Sequence, residues 1–273
     1  MGIRTGKTAT VVLLGLASLS FLYPFYWMLA ASFTKEEYIG QLLFLPAELT
    51  FDNYLQMFKK IPIGRAFFNS SLVAILVTAG VIVTSSMTGY ALAKLDFKGK
   101  STLFYVLIFT MTLPFQITLI PNYITMVKLN WVDNLVALVI PALNNAFAIL
   151  LFRQAFQQLP DALVAAARVD GCKEWTIVYR ILLPNAVPTI ITVGIITFMN
   201  VWNDVMWPLI VIRDENLMTM PQLVTLFAVG GRAEAQLGVK LAASVLLAMP
   251  IFVAYLFFQK HFIRSMAASG LKD

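Results

Sequence analysis

Long apolar stretches, separated by short charged segments, dominate the sequence. A helix needs about 20 consecutive apolar residues to cross the hydrocarbon core of a bilayer, and six stretches approach or exceed that length. Within lipid, each backbone N–H and C=O must be paired inside its own segment, so helices are expected. The sequence therefore predicts an all-α integral membrane protein with one domain over residues 1–273, a core at about 65–262, and spans at about 9–32, 67–93, 102–127, 134–153, 188–212 and 240–260.

The composition supports a membrane protein. Hydrophobic residues make up 59% of the 273 residues and charged residues 12%, with a mean hydropathy of +0.79. Soluble chains carry about 25% charged residues, so an ordinary soluble enzyme and a disordered chain are excluded. The single Cys172 and the single His261 exclude an internal disulfide and a typical zinc site. We therefore expect the apolar surface of the protein to contact membrane lipid.

The first apolar stretch follows Arg4 and Lys7 and could be read as a cleaved signal peptide. Its run from Val11 to Ala31 is longer than the usual apolar region of about 7 to 15 residues, and no clean small-residue cleavage site follows. We therefore expect an uncleaved helix.

Basic residues are unequally divided between the two sides of the six spans. One side holds both termini and residues 94–102 and 153–187, with 12 basic and 5 acidic residues; the other side holds 8 and 9. Positive residues are retained on cytoplasmic loops, so we expect a multi-pass protein with both termini cytoplasmic. The net charge of +6 then needs no nucleic-acid partner.

Two segments come close to a phosphate-binding loop of the form G-x-x-x-x-G-K-[ST]. Gly2 and Gly6 are one residue too close together, and Lys94 occupies the position of the first glycine before Gly99. Neither segment follows a strand of a βαβ unit, which this loop requires. If ATP is used, another subunit must bind it.

Residues 159–184 are predicted to form a helical elbow, two short helices joined at a sharp corner. Pro160 and Asp161 favour a helix start, and Asp170-Gly171 favours a stop that tolerates positive φ. The second helix is predicted to be amphipathic, with one apolar face formed by Trp175, Val178, Tyr179 and Leu182. An exposed elbow with small side chains suits docking into a groove of another protein. The alternative is a loop that lies passively on the membrane surface.

The elbow resembles the EAA loop of the membrane subunits of ATP-binding-cassette importers. Ala166, Ala167, Asp170 and Gly171 match that motif, whereas Ala165 stands where the family usually has Glu. Either another residue, such as Arg168, makes the charged contact with the ATPase, or docking relies more on shape. The resemblance implies a set of ATPase-coupling residues: Ala165, Ala166, Ala167, Arg168, Asp170, Gly171 and Trp175.

Segments outside the elbow resemble the carbohydrate-importer branch of the same family. Their order and spacing extend the resemblance from the first loop to the C-terminus: residues 32–35, 51–54, 69–72, 89–93, Pro114, 120–121, 202–204 with Pro208, and 262–272.

The resemblance implies a type I importer permease that works by alternating access in a bacterial or archaeal cytoplasmic membrane. Its expected partners are a second homologous permease subunit, two ATPase subunits and an extracytoplasmic solute-binding protein. A heterodimer of permeases is favoured and a homodimer stays open. This chain would bind no cofactor, because ATP and Mg belong to the ATPase. The solute could be a mono-, di- or oligosaccharide, or a polyol phosphate.

Polar side chains inside the predicted spans are candidates for the translocation path, because such groups are costly in lipid and usually face protein or water. Amides and a carboxylate could bond sugar hydroxyls, and Trp202 and Trp207 could stack on sugar rings. The candidates are Gln116, Asn144, Asn145, Asn200, Asn203 and Asp204. Interhelical hydrogen bonds, or capping by Asp204 at its helix end, explain them equally well.

Two rival functions remain to be compared. An ion-gradient-driven transporter or channel would be expected to carry several intramembrane charges or two repeats with broken helices. A membrane-embedded enzyme would need paired acid and base residues at matching depths. The sequence offers one intramembrane carboxylate, Asp204, and neither rival uses the elbow.

Overall fold

The computed structural model describes residues 2–41, 44–46, 48–229 and 236–270. For residues 2–9, 229, 255 and 257–270 it describes the backbone alone, so the side chains of His261 and of the tail segment 262–272 lie outside it. Within the described residues the chain is helical, with one isolated bridge between Thr34 and Leu49. The all-α prediction is confirmed.

Fifteen helices are found in the described residues, several of them short pieces of a longer bent element. In chain order they are α1 Gly2–Ser32, α2 Glu36–Ile39, α3 Asp52–Lys60, α4 Ile63–Lys94, α5 Lys100–Thr112, α6 Phe115–Lys128, α7 Val136–Val139, α8 Ala146–Gln157, α9 Asp161–Val169, α10 Glu174–Thr176, α11 Leu183–Asn185, α12 Val187–Trp202, α13 Met206–Val211, α14 Met220–Val229 and α15 Leu237–Gly270. A 3₁₀ turn, Pro141–Leu143, follows α7, and a π-helical segment, Ile177–Leu182, follows α10.

Three helical segments in the described part of the chain are long and apolar enough to cross a membrane alone: Thr10–Ser32, Ile63–Lys94 and Leu237–Ala254. Three bent pairs bring the number to six if each pair is one span. They are Lys100–Thr112 with Phe115–Lys128, Val136–Leu143 with Ala146–Gln157, and Glu174–Asn185 with Val187–Trp202, bent by 101°, 42° and 91°.

The third predicted span, 102–127, is sharply bent because of Pro114. Pro114 lacks a backbone N–H, and its ring disfavours the helical conformation at Leu113, which has φ −78° and ψ 121°. Pro114 therefore accounts for the bend between α5 and α6. Pro121 lies inside α6 without ending it.

The fifth predicted span, 188–212, is not one continuous helix. Helix α12 ends at Trp202 and α13 begins at Met206. The Asn203 side chain donates to the Met199 carbonyl oxygen at 2.8 Å, and the Asp204 carboxylate accepts from the backbone N–H of Trp207 at 3.4 Å. Asn and Asp side chains compete with the helix ladder in this way, which accounts for the interruption.

The contacts divide the chain, predicted as a single domain, into two compact units. The described parts of residues 1–64 and 223–250 form the first unit, and residues 65–222 with the remaining C-terminal residues form the second. In the first unit, the Glu36 carboxylate accepts hydrogen bonds from the backbone N–H groups of Leu237 and Gly238 at 2.6 and 2.8 Å. A carboxylate at a helix N-terminus satisfies otherwise unpaired donors, so Glu36 stabilises the start of α15.

The core of the second unit depends on a close approach of α4 and α8 at Gly89. A Cβ added to Gly89 would lie 2.8 Å from Cβ of Phe152 and 2.9 Å from the backbone nitrogen of Arg153. Only glycine permits this separation. Phe152 and Phe156 are fully buried beside it and stack at 5.8 Å between ring centroids. The elbow follows α8 in the chain and is attached to α4.

Candidate functional site

The predicted elbow is present in the second unit, and its corner is a helix-ending motif. Gly171 has φ +75°, the backbone N–H of Cys172 donates to the Ala167 carbonyl at 2.9 Å, and that of Gly171 donates to the Arg168 carbonyl at 3.0 Å. These two bonds and the left-handed glycine define a Schellman motif at the end of α9. The prediction of a positive-φ stop at Asp170-Gly171 is confirmed.

Two side-chain anchors attach the elbow to α4 at its two ends. The Lys94 ammonium group, almost fully buried, donates to the Leu159 carbonyl and to the Asp161 carboxylate. This ion pair holds the pKa of the exposed Asp161 below its ordinary value of 3.8. At the other end, the Tyr179 hydroxyl donates to the Val83 carbonyl at 3.0 Å.

A third anchor lies at the corner itself and consists of Tyr90, Arg168 and Glu174, called here the corner cluster. Arg168 Nε lies 3.0 Å from Glu174 Oε1, and its Nη2 lies 3.3 Å from Oε2 and 3.1 Å from the Tyr90 hydroxyl oxygen. The Tyr90 hydroxyl also bonds Glu174. Hydrogen bonds to Glu174 and then to Tyr90 raise the pKa of Arg168 above its ordinary value. The guanidinium therefore has its charged partner within the chain.

The outward surface of the elbow carries several apolar side chains among charged ones. Val169 is 87% exposed and Trp175 62% exposed, and the small side chains of Ala165 and Ala166 also face outwards. Ala167 belongs to the predicted coupling set but is only 4% exposed, because it packs inwards. Trp175 likewise departs from its predicted apolar face, of which Val178 and Leu182 are buried.

A cleft of about 710 Å³ lies in the same unit, formed by α4, α5, α6, α8, α12 and α13 and the segments between them. Three of the six predicted path residues line it, namely Asn144, Asn145 and Asp204. Gln116, Asn200 and Asn203 are not among its lining residues. The cleft is also lined by four polar side chains outside the predicted set of six, namely Thr110, Thr118, Asn122 and Thr219.

The cleft is the place where three breaks in the helices meet. Leu113 from the α5–α6 bend, Asn144 and Asn145 before α8, and Asp204 between α12 and α13 all line it. Non-helical backbone at membrane depth is tolerated where it is buried in protein or lines a water-filled cavity. This convergence marks the cleft as the polar interior of the unit.

Two of the side chains that line the cleft accept hydrogen bonds from backbone N–H groups at helix starts. The Asn145 side chain accepts from the backbone N–H of Ala148 at 2.9 Å and caps α8, and Asp204 accepts from Trp207 at the start of α13. The capping alternative predicted for Asp204 therefore has direct support. Each carboxylate or amide oxygen has further acceptor capacity, so capping and a contact with solute hydroxyls are compatible.

The predicted stacking of tryptophans on sugar rings is wrong for Trp202. Its ring is 1% exposed and packs against Phe198 and Phe67, with centroid separations of 5.8 and 5.5 Å. Trp207 is 6% exposed and lines the cleft, and its indole N–H donates to the Ala137 carbonyl at 2.9 Å. Among the described residues no group of three His, Cys, Asp or Glu side chains is placed to hold a metal ion.

The chain matches one family of known proteins and several of its members. The family described as "Binding-protein-dependent transport system inner membrane component" matches residues 85–268. The chain is 33% identical over 267 residues to the arabinooligosaccharides transport system permease protein AraQ of Halalkalibacterium halodurans, covering 95% of each. It is 30% identical over 258 residues to the lactose transport system permease protein LacG of Rhizobium radiobacter, covering 94% of this chain and 93% of that one.

One solved structure has a closely similar fold. It is a chain of a bacterial ABC transporter involved in the import of the acidic polysaccharide alginate, with a TM-score of 0.85 and 24% identity over 95% of this chain and 97% of that chain.

Proposed function

Because the chain belongs to the family of binding-protein-dependent transport system inner membrane components, we propose that it is the permease subunit of an ATP-driven carbohydrate importer. The relatives named for arabinooligosaccharides and lactose support a carbohydrate as the solute. A solute-binding protein would deliver the solute, and a second, related permease subunit would complete the path. We place the protein in a bacterial or archaeal cytoplasmic membrane, with the elbow and both termini in the cytoplasm, on the basis of its charge distribution.

The observation that carries the proposal is the exposed elbow, with its corner fixed at Gly171 and its helices anchored on α4. ATP and Mg would be bound by separate ATPase subunits, and this chain would catalyse no reaction. Closure of the ATPases would move the elbow as a rigid body, and differential binding of ATP to the closed state would drive the cycle.

The elbow's composition favours docking by shape and apolar contact. Ala165 has no charge to offer, and the Arg168 guanidinium is paired with Glu174. Val169 and Trp175 are the most exposed large apolar side chains there, and Leu163 is 39% exposed. Exposed apolar side chains at one corner are typical of an interaction site, and we propose that they enter a groove of the ATPase.

The cleft supports a place for the solute within this subunit. Its amide, carboxylate and hydroxyl groups are suited to bonding sugar hydroxyls, and the meeting of three helix breaks provides the polar interior that such a path needs. We propose Asn144, Asn145 and Asp204 as path residues.

A co-purification experiment tests the coupling role. The intact chain in detergent should bring down an ATPase, and a chain whose residues 164–173 are replaced by a Gly/Ser linker should not. A sharper variant is Val169→Asp, which places a charge on the apolar surface. Its matched control is Phe97→Asp, since Phe97 is 41% exposed on the α4–α5 connection, on the same predicted side of the membrane. Capture of no ATPase by the intact, folded chain would refute the proposal.

A further inference from the structure

We infer that Arg168 is a positioning residue, which with Glu174 and Tyr90 fixes the angle between the two arms of the elbow and transmits the movement of the corner to α4. The inference rests on the proposed function and deepens it. It assigns to Arg168 a role inside the chain in place of a charged contact with the ATPase.

The corner cluster joins three separate elements at one point. Arg168 lies on the last turn of α9, Glu174 begins α10 after the corner, and Tyr90 lies on α4 near its C-terminal end. The guanidinium uses two of its nitrogens on Glu174 and one of these also on the Tyr90 hydroxyl. A planar guanidinium holding both oxygens of a carboxylate restrains orientation as well as distance. The two arms of the elbow are therefore locked by a contact additional to the backbone corner.

Tyr90 gives the cluster a rigid base. Tyr90 is 2% exposed, and the adjacent Gly89 packs directly against the backbone of α8. A displacement of Arg168 thus acts on a packed helix and not on a mobile side chain, because close-packed interiors transmit strain.

Helix α4 connects this base directly with the cleft. It is continuous from Ile63 to Lys94, and Val73, which lines the cleft, lies on it 17 positions before Tyr90. At a rise of 1.5 Å per residue the separation is about 25 Å along one unbroken helix. The corner cluster therefore lies at one end of a continuous helix that contributes Val73 to the lining of the cleft.

The test compares assembly with coupling in the complete transporter. Arg168→Ala and Tyr90→Phe should still co-purify the ATPase, because neither change touches the exposed apolar surface. In proteoliposomes with the solute-binding protein, solute transported per ATP hydrolysed should fall about three- to fivefold, as expected for loss of a partly exposed ion pair. Lys98→Ala removes an exposed charge from the α4–α5 connection and is the control, with an unchanged ratio.

A charge exchange separates positioning from direct contact. Arg168→Glu combined with Glu174→Arg restores the internal pair, so it should recover most of the transport per ATP that Arg168→Glu alone loses. Loss of ATPase co-purification in Arg168→Ala without recovery in the exchange variant would show that Arg168 contacts the ATPase directly, and would overturn the inference. An unchanged ratio in Arg168→Ala would overturn it too, while leaving the proposed function intact. An unmodified chain that captures no ATPase would instead refute the proposed function, and the inference with it.

Discussion

Replacement of Gly171 by valine should uncouple the transporter by distorting the corner of the elbow. Gly171 has φ +75°, a conformation that β-branched residues rarely adopt. A Cβ added there would meet no atom within 4 Å. The expected cost is therefore one of backbone conformation alone, without a contribution from steric overlap with neighbours.

The size of this cost follows from the left-handed conformation, which disfavours an L-residue with a Cβ by about 1–2 kcal/mol. At 25 °C a difference of that size changes a conformational ratio by about 5- to 30-fold. The Schellman bonds of Gly171 and Cys172 would then be populated less, and the two arms of the elbow would lose their fixed angle. Gly171→Asn should show a milder effect, because asparagine tolerates this region better.

The chain contains a matched control at Gly99. Gly99 has φ +87°, an added Cβ there would also meet nothing within 4 Å, and it lies at the N-terminus of α5, away from the corner. Gly99→Val therefore imposes a similar backbone penalty without changing the elbow. The assay is solute transport per ATP hydrolysed in proteoliposomes, with thermal unfolding of each purified variant measured in parallel.

The expected outcome is a lower transport ratio for Gly171→Val than for Gly99→Val, at comparable thermal stability. Full coupling in Gly171→Val would show that the corner geometry does not matter for energy transfer. Equal losses in both variants would show that a general backbone penalty, and not the elbow, causes the defect. Either result refutes the reasoning.

Three further predictions concern packing, pH and the cleft. Gly89→Ala should lower stability by about 1–3 kcal/mol, seen as earlier thermal unfolding, because its Cβ would overlap Phe152 and a backbone atom of α8. Lys94 lowers the pKa of Asp161. The contribution of this ion pair to stability should therefore be complete above about pH 4 and be lost as the pH falls through the lowered pKa. Asp161→Asn should remove this pH dependence of the unfolding temperature. Asp204→Asn keeps a capping oxygen, so it should preserve thermal unfolding while lowering solute uptake; unchanged uptake would remove Asp204 from the path.

Local signals in the sequence were sufficient to predict the elbow. Pro160 and Asp161 begin α9, and Gly171 ends it with positive φ, because start and stop signals depend on backbone preferences of neighbouring residues. The bend at Pro114 is predictable for the same reason. That Pro121 stays inside α6 is not, since surrounding helices decide whether a proline ends a membrane helix or is accommodated.

The roles of single polar side chains depended on tertiary contacts. Asn69 belongs to a segment that resembles a family motif, and in the structure its buried amide donates to the carbonyls of Asn216 and Met218 at 2.9 and 3.0 Å. Arg168 was considered as a docking charge, but its partners Glu174 and Tyr90 lie six and 78 positions away. No pattern in a single sequence specifies such a pairing across 78 positions.

The candidate path was predicted in part, for a physical reason. Asn144, Asn145 and Asp204 were selected because amides and carboxylates are costly in lipid, and they line the cleft. Thr110 also lines the cleft but gave no comparable signal, because a threonine hydroxyl inside a helix can bond a backbone carbonyl of its own turn; that of Thr110 donates to Leu107 at 2.7 Å.

The distribution of intact and broken helices around the cleft suggests how movement at the elbow could change the path. Helix α4 runs unbroken from the cleft to the corner cluster, whereas α5–α6 and α12–α13 are interrupted where they line the cleft. An unbroken helix moves as a unit, and a break is where backbone angles can change at low cost. Movement of the elbow would therefore reach the cleft through α4, and the change in shape would be taken up at Leu113 and Asp204, which face the proposed path.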